Sequence, residues 1–224
     1  MFVIPCKYIK EKSQIIECVE SIKLHHPEEK IFIVDSISDD LSYLNSLYNL
    51  ENVIISKKGN TNYVIGALWI AYEHFPEERH YTLIHDSVTI KKPLTNFLQN
   101  EQNYSFLYFI EGPRLIQDQP TIDRFVGPNY RHNPYSQTIG IFGSMCILKN
   151  GLIKKFIKNN LNKTFLPENK IDCMISERAI GVLFRLEGID PIENCVEQKN
   201  FLEHINTMQS DGFEYIKKTI VSRQ

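Results

Sequence analysis

The stretch "YTLIHDSVTI", residues 81–90, decides how this chain is read. It begins as a strand, and His85, Asp86 and Ser87 then interrupt it. Burying a lone carboxylate costs several kcal/mol unless it is paired, hydrogen-bonded or bound to a metal. A run that turns acidic only after Ile84 therefore sets Asp86 at the lip of a sheet, where a carboxylate can meet a partner.

Upstream, the same grammar repeats. "MFVIPC" is a short apolar run closed by Pro5, and Ser13 can cap a helix carrying Ile15, Val19 and Ile22 on one face. "KIFIVDS" (30–36) is a second apolar strand that ends in Asp35 and Ser36. Helical or loop sequence around "DDLSYLNSLYNL" leads to a third strand, "NVIIS" (52–56). A turn at Lys57-Lys58-Gly59-Asn60 precedes a helix over 62–75, with Ile65, Leu68, Tyr72 and Phe75 on one face. Strands alternating with helices predict an α/β fold, a mainly parallel sheet covered on both sides. In such sheets ligands collect at the carboxyl ends of the strands. Pro5-Cys6-Lys7, Asp35-Ser36, Lys57-Lys58 and His85-Asp86-Ser87 all fall there. Loops are polar in any case, but Asp35 and Asp86 directly follow the runs "IFIV" and "YTLI".

Downstream, the pattern is less regular. "LTNFLQN" reads as a helix and "SFLYFI" as an aromatic strand. Residues 111–138 hold Gly112, Pro113, Pro120, Gly127, Pro128 and Pro134, and read as a long loop. Within it, Arg114, Arg124, Tyr130, Arg131 and Tyr135 suit either a sugar-binding surface or a loop packed on its own core. "TIGIFGSMCILKN" (138–150) reads as one strand whose Gly140 and Gly143 let a ligand or backbone pass close by. A basic helix follows, then the loop "TFLPENKIDCMI", then a helix "ERAIGVLFRLEG" capped by Ser176 and ending at Gly188. The tail contains His204 and a last helix, "GFEYIKKTIV".

Bulk properties narrow the function. With 224 residues the chain suits a single large domain. The formal charge of −2, with only scattered pairs such as Lys217-Lys218, argues against a nucleic-acid binder working through a basic face. Five cysteines, an odd number with no CxxC pair, read as buried thiols in a reducing compartment rather than as disulfides or a zinc site. The longest apolar run, "VIGALWIAY" (64–72), is about half of the ~20 residues a membrane span needs. "MFVIPCKYIK" lacks a basic start and a long apolar region, so no signal peptide is read there. The expectation is a soluble, cytoplasmic protein.

With these residues in place, the layout resembles the GT-A fold of nucleotide-sugar glycosyltransferases, the family-two-like branch in particular. That family opens with an apolar strand ending in Pro, matched by "VIP" (3–5). Its second strand ends in an acid that recognises the nucleoside, matched by Asp35, and its fourth ends in a D-x-D motif, matched loosely by "LIHDSV". Its downstream helix opens with an acid that can act as base, and "ISERAIG" offers Glu177. The resemblance spans about residues 1–190. It departs from the family at Val88, where a full D-x-D would have its second acid.

The resemblance implies a Rossmann-type α/β/α sandwich forming one domain, with residues 1–92 as the nucleotide-binding half, 93–190 as the acceptor side and 191–224 as a tail. It implies transfer of a hexosyl or deoxyhexosyl unit from a nucleotide-diphosphate sugar, a UDP-sugar foremost, to a glycan or other hydroxyl acceptor, with inversion. Pro5, Lys7, Asp35, Ser36, Lys58, Asn62, Gly66, His85, Asp86 and Ser87 would line the donor site, and Gly143 and Arg131 the acceptor side. Asp86 and His204 would hold a divalent cation, Mn or Mg, that offsets the charge of the departing diphosphate. Glu177, or Asp172 in its place, would take the acceptor proton. Plainer roles stay open: Asp35 as a cap on its own loop, Glu177 as a first-turn helix stabiliser, and His204 as a surface histidine. Two other functions also stay open. A nucleotidyltransferase would use a similar sheet, but "PCKYIKEKS" lacks the glycine-rich loop that class carries. A non-catalytic scaffold would keep the sheet without the chemistry.

Overall fold

The computed structural model describes residues 1–8, 14–106, 108–111, 115–128, 138–197 and 213–219. The first half follows the expected alternation: β1 (Phe2–Cys6), α1 (Ile15–His25), β2 (Ile31–Asp35), a 3-10 turn (Ser42–Leu47), β3 (Val53–Ile55), α2 (Tyr63–His74) and β4 (His80–Leu83). Then come β5 (Val88–Ile90), α3 (Thr95–Gln99), β6 (Tyr104–Ser105), β7 (Tyr108–Glu111), α4 (Leu115–Val126), β8 (Thr138–Ile141) and β9 (Cys146–Lys149). The chain continues through α5 (Asn150–Lys158), α6 (Leu161–Thr164) and α7 (Lys170–Leu186) to β10 (Ile216–Lys218).

The central sheet runs β3-β2-β1-β4-β9-β6. Strands β1 to β4 are parallel, and β9 pairs antiparallel with both β4 and β6. Two ribbons flank it, β7 with β8 and β5 with β10, both antiparallel. Because a strand alternates its side chains between faces, Val3, Phe32, Val34 and Tyr81 enter one core, shared with α2, α4, α5 and α7. Phe2, Ile4, Ile31 and Ile33 enter the other, shared with α1 and β5. Both faces are buried, so these strands read as continuous apolar runs. Helix α2 is sandwiched more fully than the one-face reading expects, with every residue from Val64 to Ala71 buried.

Several downstream expectations are corrected. Residues 115–126, expected within a long loop, form α4 with Pro120 inside it. The stretch 138–150 is two strands in different sheets, broken where Gly143 and Ser144 adopt φ of 61° and 53°. "SFLYFI" likewise divides between β6 and β7. Helix α7 begins at Lys170, where the Asn169 side chain accepts from the Asp172 N–H, so Ser176 lies inside α7 and caps nothing. Its hydroxyl donates to the Cys173 carbonyl instead. "GFEYIKKTIV", expected as a helix, contains the strand β10. Ser13 lies outside the described residues. Among the described residues, no helix is long and apolar enough to cross a membrane.

Candidate active site

Asp35 and Asp86 share one rim of the sheet. Asp35 pairs in register with Cys6 at the end of β1, and Asp86 follows β4, the neighbour of β1 on its other side. The Cys6 thiol reports both: burial pushes it up to about 12, and Asp86 and Asp35 push the same way against a Tyr43 hydrogen bond. The two acids are nonetheless unlike. The Asp35 carboxylate accepts from the Ser38 N–H at 2.7 Å, the Ser38 hydroxyl at 2.6 Å and the Tyr43 hydroxyl at 2.6 Å. Ser38 in turn accepts from the Tyr8 N–H at 2.8 Å. Asp35 thereby braces the exits of β1 and β2. Pro5 is half-buried beside it, Lys7 is exposed, and the Ser36 N–H donates to the Cys6 carbonyl at 2.8 Å.

Asp86 belongs to a different cluster, built around His85. The Lys218 ammonium lies 3.0 Å from His85 Nδ1 and 2.9 Å from the Ser87 hydroxyl. An ammonium only donates, so Nδ1 accepts, and the proton on the other ring nitrogen goes to the Gly143 carbonyl at 2.9 Å. Gly143 is required on two counts. Its φ is +61°, and a Cβ there would lie 2.6 Å from His85 Cε1. The Gly143 N–H donates to the Glu177 carboxyl. Burial pushes that carboxyl up to about 7, against the Gly143 N–H and the Lys218 ammonium, which favour its ionised form. Asp86 and Lys218 are close enough that both act on the Cys18 thiol of α1, in opposite senses. His85, Asp86, Ser87, Gly143, Glu177 and Lys218 thus form one polar cluster, drawn from β4, the Gly143 turn, α7 and β10.

Strand β10 is fixed by a buried acid. Glu197 accepts from the backbone N–H groups of Glu214, Tyr215 and Ile216 at 2.7, 2.9 and 2.9 Å. Helix α7 is fixed by close backbone packing, since a Cβ on Gly181 would meet the Ile139 carbonyl at 1.8 Å. Two ion pairs to α4 hold it as well: Arg178 with Asp118 at 3.0 Å and Arg124 with Asp172 at 2.6 Å. Asp172 also accepts from the Glu168 N–H, which gives it the place of a brace at the helix start. Arg124, read as a candidate sugar contact, is the other half of that brace.

Lys58, Asn62 and Gly66 gather elsewhere, in a cleft of about 570 Å³ along α2 that Trp69, Ile157 and Leu166 also line. Lys58 pairs there with Glu73 at 2.7 Å, and the Asn62 amide donates to the Pro167 carbonyl at 3.0 Å. The lining includes none of Asp86, Glu177, His85 or Lys218. Arg131 and His204, with Arg114, Tyr130 and Tyr135, lie outside the described residues.

Neither His85 nor Ser87 at the end of β4 suits a divalent cation. Both ring nitrogens of His85 are committed, the Ser87 hydroxyl accepts from Lys218, and a positive charge stands beside them. Among the described residues, no three His, Cys, Asp or Glu side chains come together as a metal cage. Sequence reasoning missed Lys218, reading Lys217-Lys218 as one of several scattered basic pairs. The strand is too short for its alternation to show in the sequence, although Ile216 is buried, Lys217 exposed and Lys218 half-buried.

No protein-family model matches the chain, and no curated protein matches it. Among solved structures it is similar to S. aureus TarS 1-349 in complex with UDP, at 18% identity and TM-score 0.46 over 80% of this chain and 54% of that one. It is also similar to the galactosyltransferase LgtC in complex with donor and acceptor sugar analogs, at 7% identity and TM-score 0.43 over 79% of this chain and 70% of that one. A third is the apo form of the glycosyltransferase GlyE of Streptococcus pneumoniae TIGR4, at 13% identity and TM-score 0.46 over 100% of this chain and 55% of that one. The chain spans about half the length of the TarS 1-349 and GlyE chains.

Proposed function

We propose that the chain is a glycosyltransferase that moves a hexosyl or deoxyhexosyl unit from a nucleotide-diphosphate sugar, a UDP-sugar foremost, to a hydroxyl acceptor. One observation carries the reading. At the carboxyl edge of a mainly parallel sheet, the Glu177 carboxyl, through the Gly143 turn, and the Lys218 ammonium converge on the strand end that holds Asp86. A carboxyl titrating near pH 7 suits general-base work, and Glu177 is that group. In the transfer, the acceptor oxygen bonds to the anomeric carbon while the bond from that carbon to the diphosphate oxygen breaks. Glu177 takes the acceptor proton, and the nucleoside diphosphate leaves with the electron pair. A single displacement of this kind inverts the anomeric centre. Asp86 would orient the sugar through its hydroxyls, and the His85–Gly143 bond keeps the turn that presents an N–H to Glu177.

The setting we infer is cytoplasmic glycan biosynthesis, in keeping with five free cysteines, four of them buried. The test is hydrolysis of a panel of nucleotide sugars by the wild type, Asp86→Ala and Glu177→Gln. Turnover of one donor that both variants lose is the expected result. Turnover of none, with nucleoside diphosphates unbound, would refute the reading.

A further inference from the structure

We propose that Lys218, rather than a divalent cation, is the positive group that meets the donor diphosphate, carried into the site as a built-in counter-ion by strand β10. The proposal rests on the glycosyltransferase reading and deepens it by assigning the charge on which that chemistry depends.

The register of the β5–β10 ribbon supplies the first argument. A full D-x-D would place its second carboxylate at residue 88, where this chain has a buried valine. The antiparallel partner of Val88 is Lys218. Where a second metal ligand would stand, the neighbouring strand brings a cation.

The second argument is that this ammonium is held in place. Its strand is tied to Glu197 through three backbone N–H groups. Lys91 secures the segment from the other side, its ammonium donating to the Phe213 carbonyl at 2.5 Å and its N–H to the Tyr215 carbonyl at 2.7 Å. Beyond the lysine, the Thr219 N–H donates to the Ser87 carbonyl at 2.9 Å. The side chain then reaches His85 and Ser87, the two neighbours of Asp86. A fixed charge at the point where negative charge develops needs no reorganisation during reaction, which makes it more effective than a mobile one. Lysine binds phosphate as a compact point charge.

The third argument is exclusion. A divalent ion at the end of β4 would face the ammonium's repulsion and find the imidazole nitrogens of His85 engaged on both sides.

The experiment is calorimetric titration of UDP, GDP, dTDP and uridine into the full chain, in EDTA and in Mn²⁺, with wild type, Lys218→Met and Lys218→Gln. For one of the diphosphates, we expect wild-type affinity equal within about twofold in the two buffers, since the ion is not needed to offset the charge. Removing charge-assisted contacts to the diphosphate should weaken its binding about 30-fold in both variants and leave uridine unchanged. Binding by wild type only with Mn²⁺, or undiminished binding by the variants, overturns the assignment to Lys218 while the transferase reading stands. Failure of all three diphosphates to bind wild type in either buffer overturns both. Should Lys218→Met not fold by circular dichroism, Lys218→Gln and the wild-type comparison still decide.

Discussion

At the scale of single residues, Glu177 and Gly143 carry the sharpest expectations. Desolvation of the half-buried Glu177 pushes its carboxyl up to about 7, so it is an ionised base only above that pH. Transfer should fall about tenfold per pH unit below 7, and Glu177→Gln should lose about 10²–10⁴ in kcat together with that acid limb. The stability sign runs the other way. A carboxyl whose pKa is raised on folding contributes stability that is present below its unfolded value of 4.5 and lost as pH rises through 7. Glu177→Gln should therefore melt higher than wild type at pH 8 while being slower, and a lower melting temperature there would contradict the burial argument. Gly143→Ala should drive a methyl into the His85 ring in a backbone region that alanine disfavours. We expect a loss of about 1–3 kcal/mol in stability and a larger proportional loss of donor turnover, read by thermal melts beside kinetics. The sequence placed Glu177 in the first turn of a helix capped by Ser176. It sits within α7 instead, which begins at Lys170, and desolvation is what raises its carboxyl. Asp35 was legible as a rim acid, and its carboxylate accepts from Ser38 and Tyr43 in the loop that follows it.

At the scale of elements, the decisive one is β10, which sequence reading took for a helix. A three-residue strand shows too little alternation to declare itself, and its partner β5 lies far back in the chain. Its anchor is therefore worth testing. Glu197→Ala removes the acceptor for three N–H groups, and leaving the buried Ile216 donor unpaired costs about 1–3 kcal/mol. We expect fast amide exchange at Tyr215 and Ile216 and a loss of diphosphate affinity approaching that of the Lys218 variants. Unchanged exchange would mean that β10 is held by the ribbon alone. Helix α4 was hidden for a different reason. Its proline and the prolines and glycines around it mimic a loop, while what makes it a helix is tertiary: Ile122 and Phe125 are buried, and Asp118 and Arg124 pair with α7. Asp118→Ala would remove the carboxylate paired with the buried Arg178 and should cost about 3–5 kcal/mol. The double replacement Asp118→Leu with Arg178→Met should recover most of that. A double variant no more stable than the single would show that packing, rather than charge, is what α7 loses.

At the scale of the whole molecule, the α/β class and the rim acids were legible because they belong to the first half, where strand and helix alternate and each strand finds its neighbour through a short crossover. The second half was not, because its strands leave that scheme. Strand β9 enters the sheet antiparallel, β7 and β8 leave it as a ribbon, and α7 is located by a glycine packed on Ile139 and by ion pairs to α4. This difference does not divide the molecule. Strand β9 pairs with β4 over four residues from His80↔Lys149 to Leu83↔Cys146, and the core on that side takes Val3, Phe32 and Tyr81 together with Leu148, Phe156 and Leu183. Residues 1–92 on their own would expose β4 as an open apolar edge and strip one face of the sheet of α5 and α7. That fragment also lacks β10, the partner of β5. Edges of this kind recruit other chains, and each large side chain returned to water forfeits about 1.5–3 kcal/mol. The 1–92 fragment, made alone, should therefore aggregate or give an unfolded circular dichroism spectrum, and the full chain should melt in one transition at every wavelength. A folded, monomeric 1–92 fragment that binds nucleoside diphosphate would show that the donor half needs neither β9 nor Lys218, and would separate the two halves that the shared sheet joins.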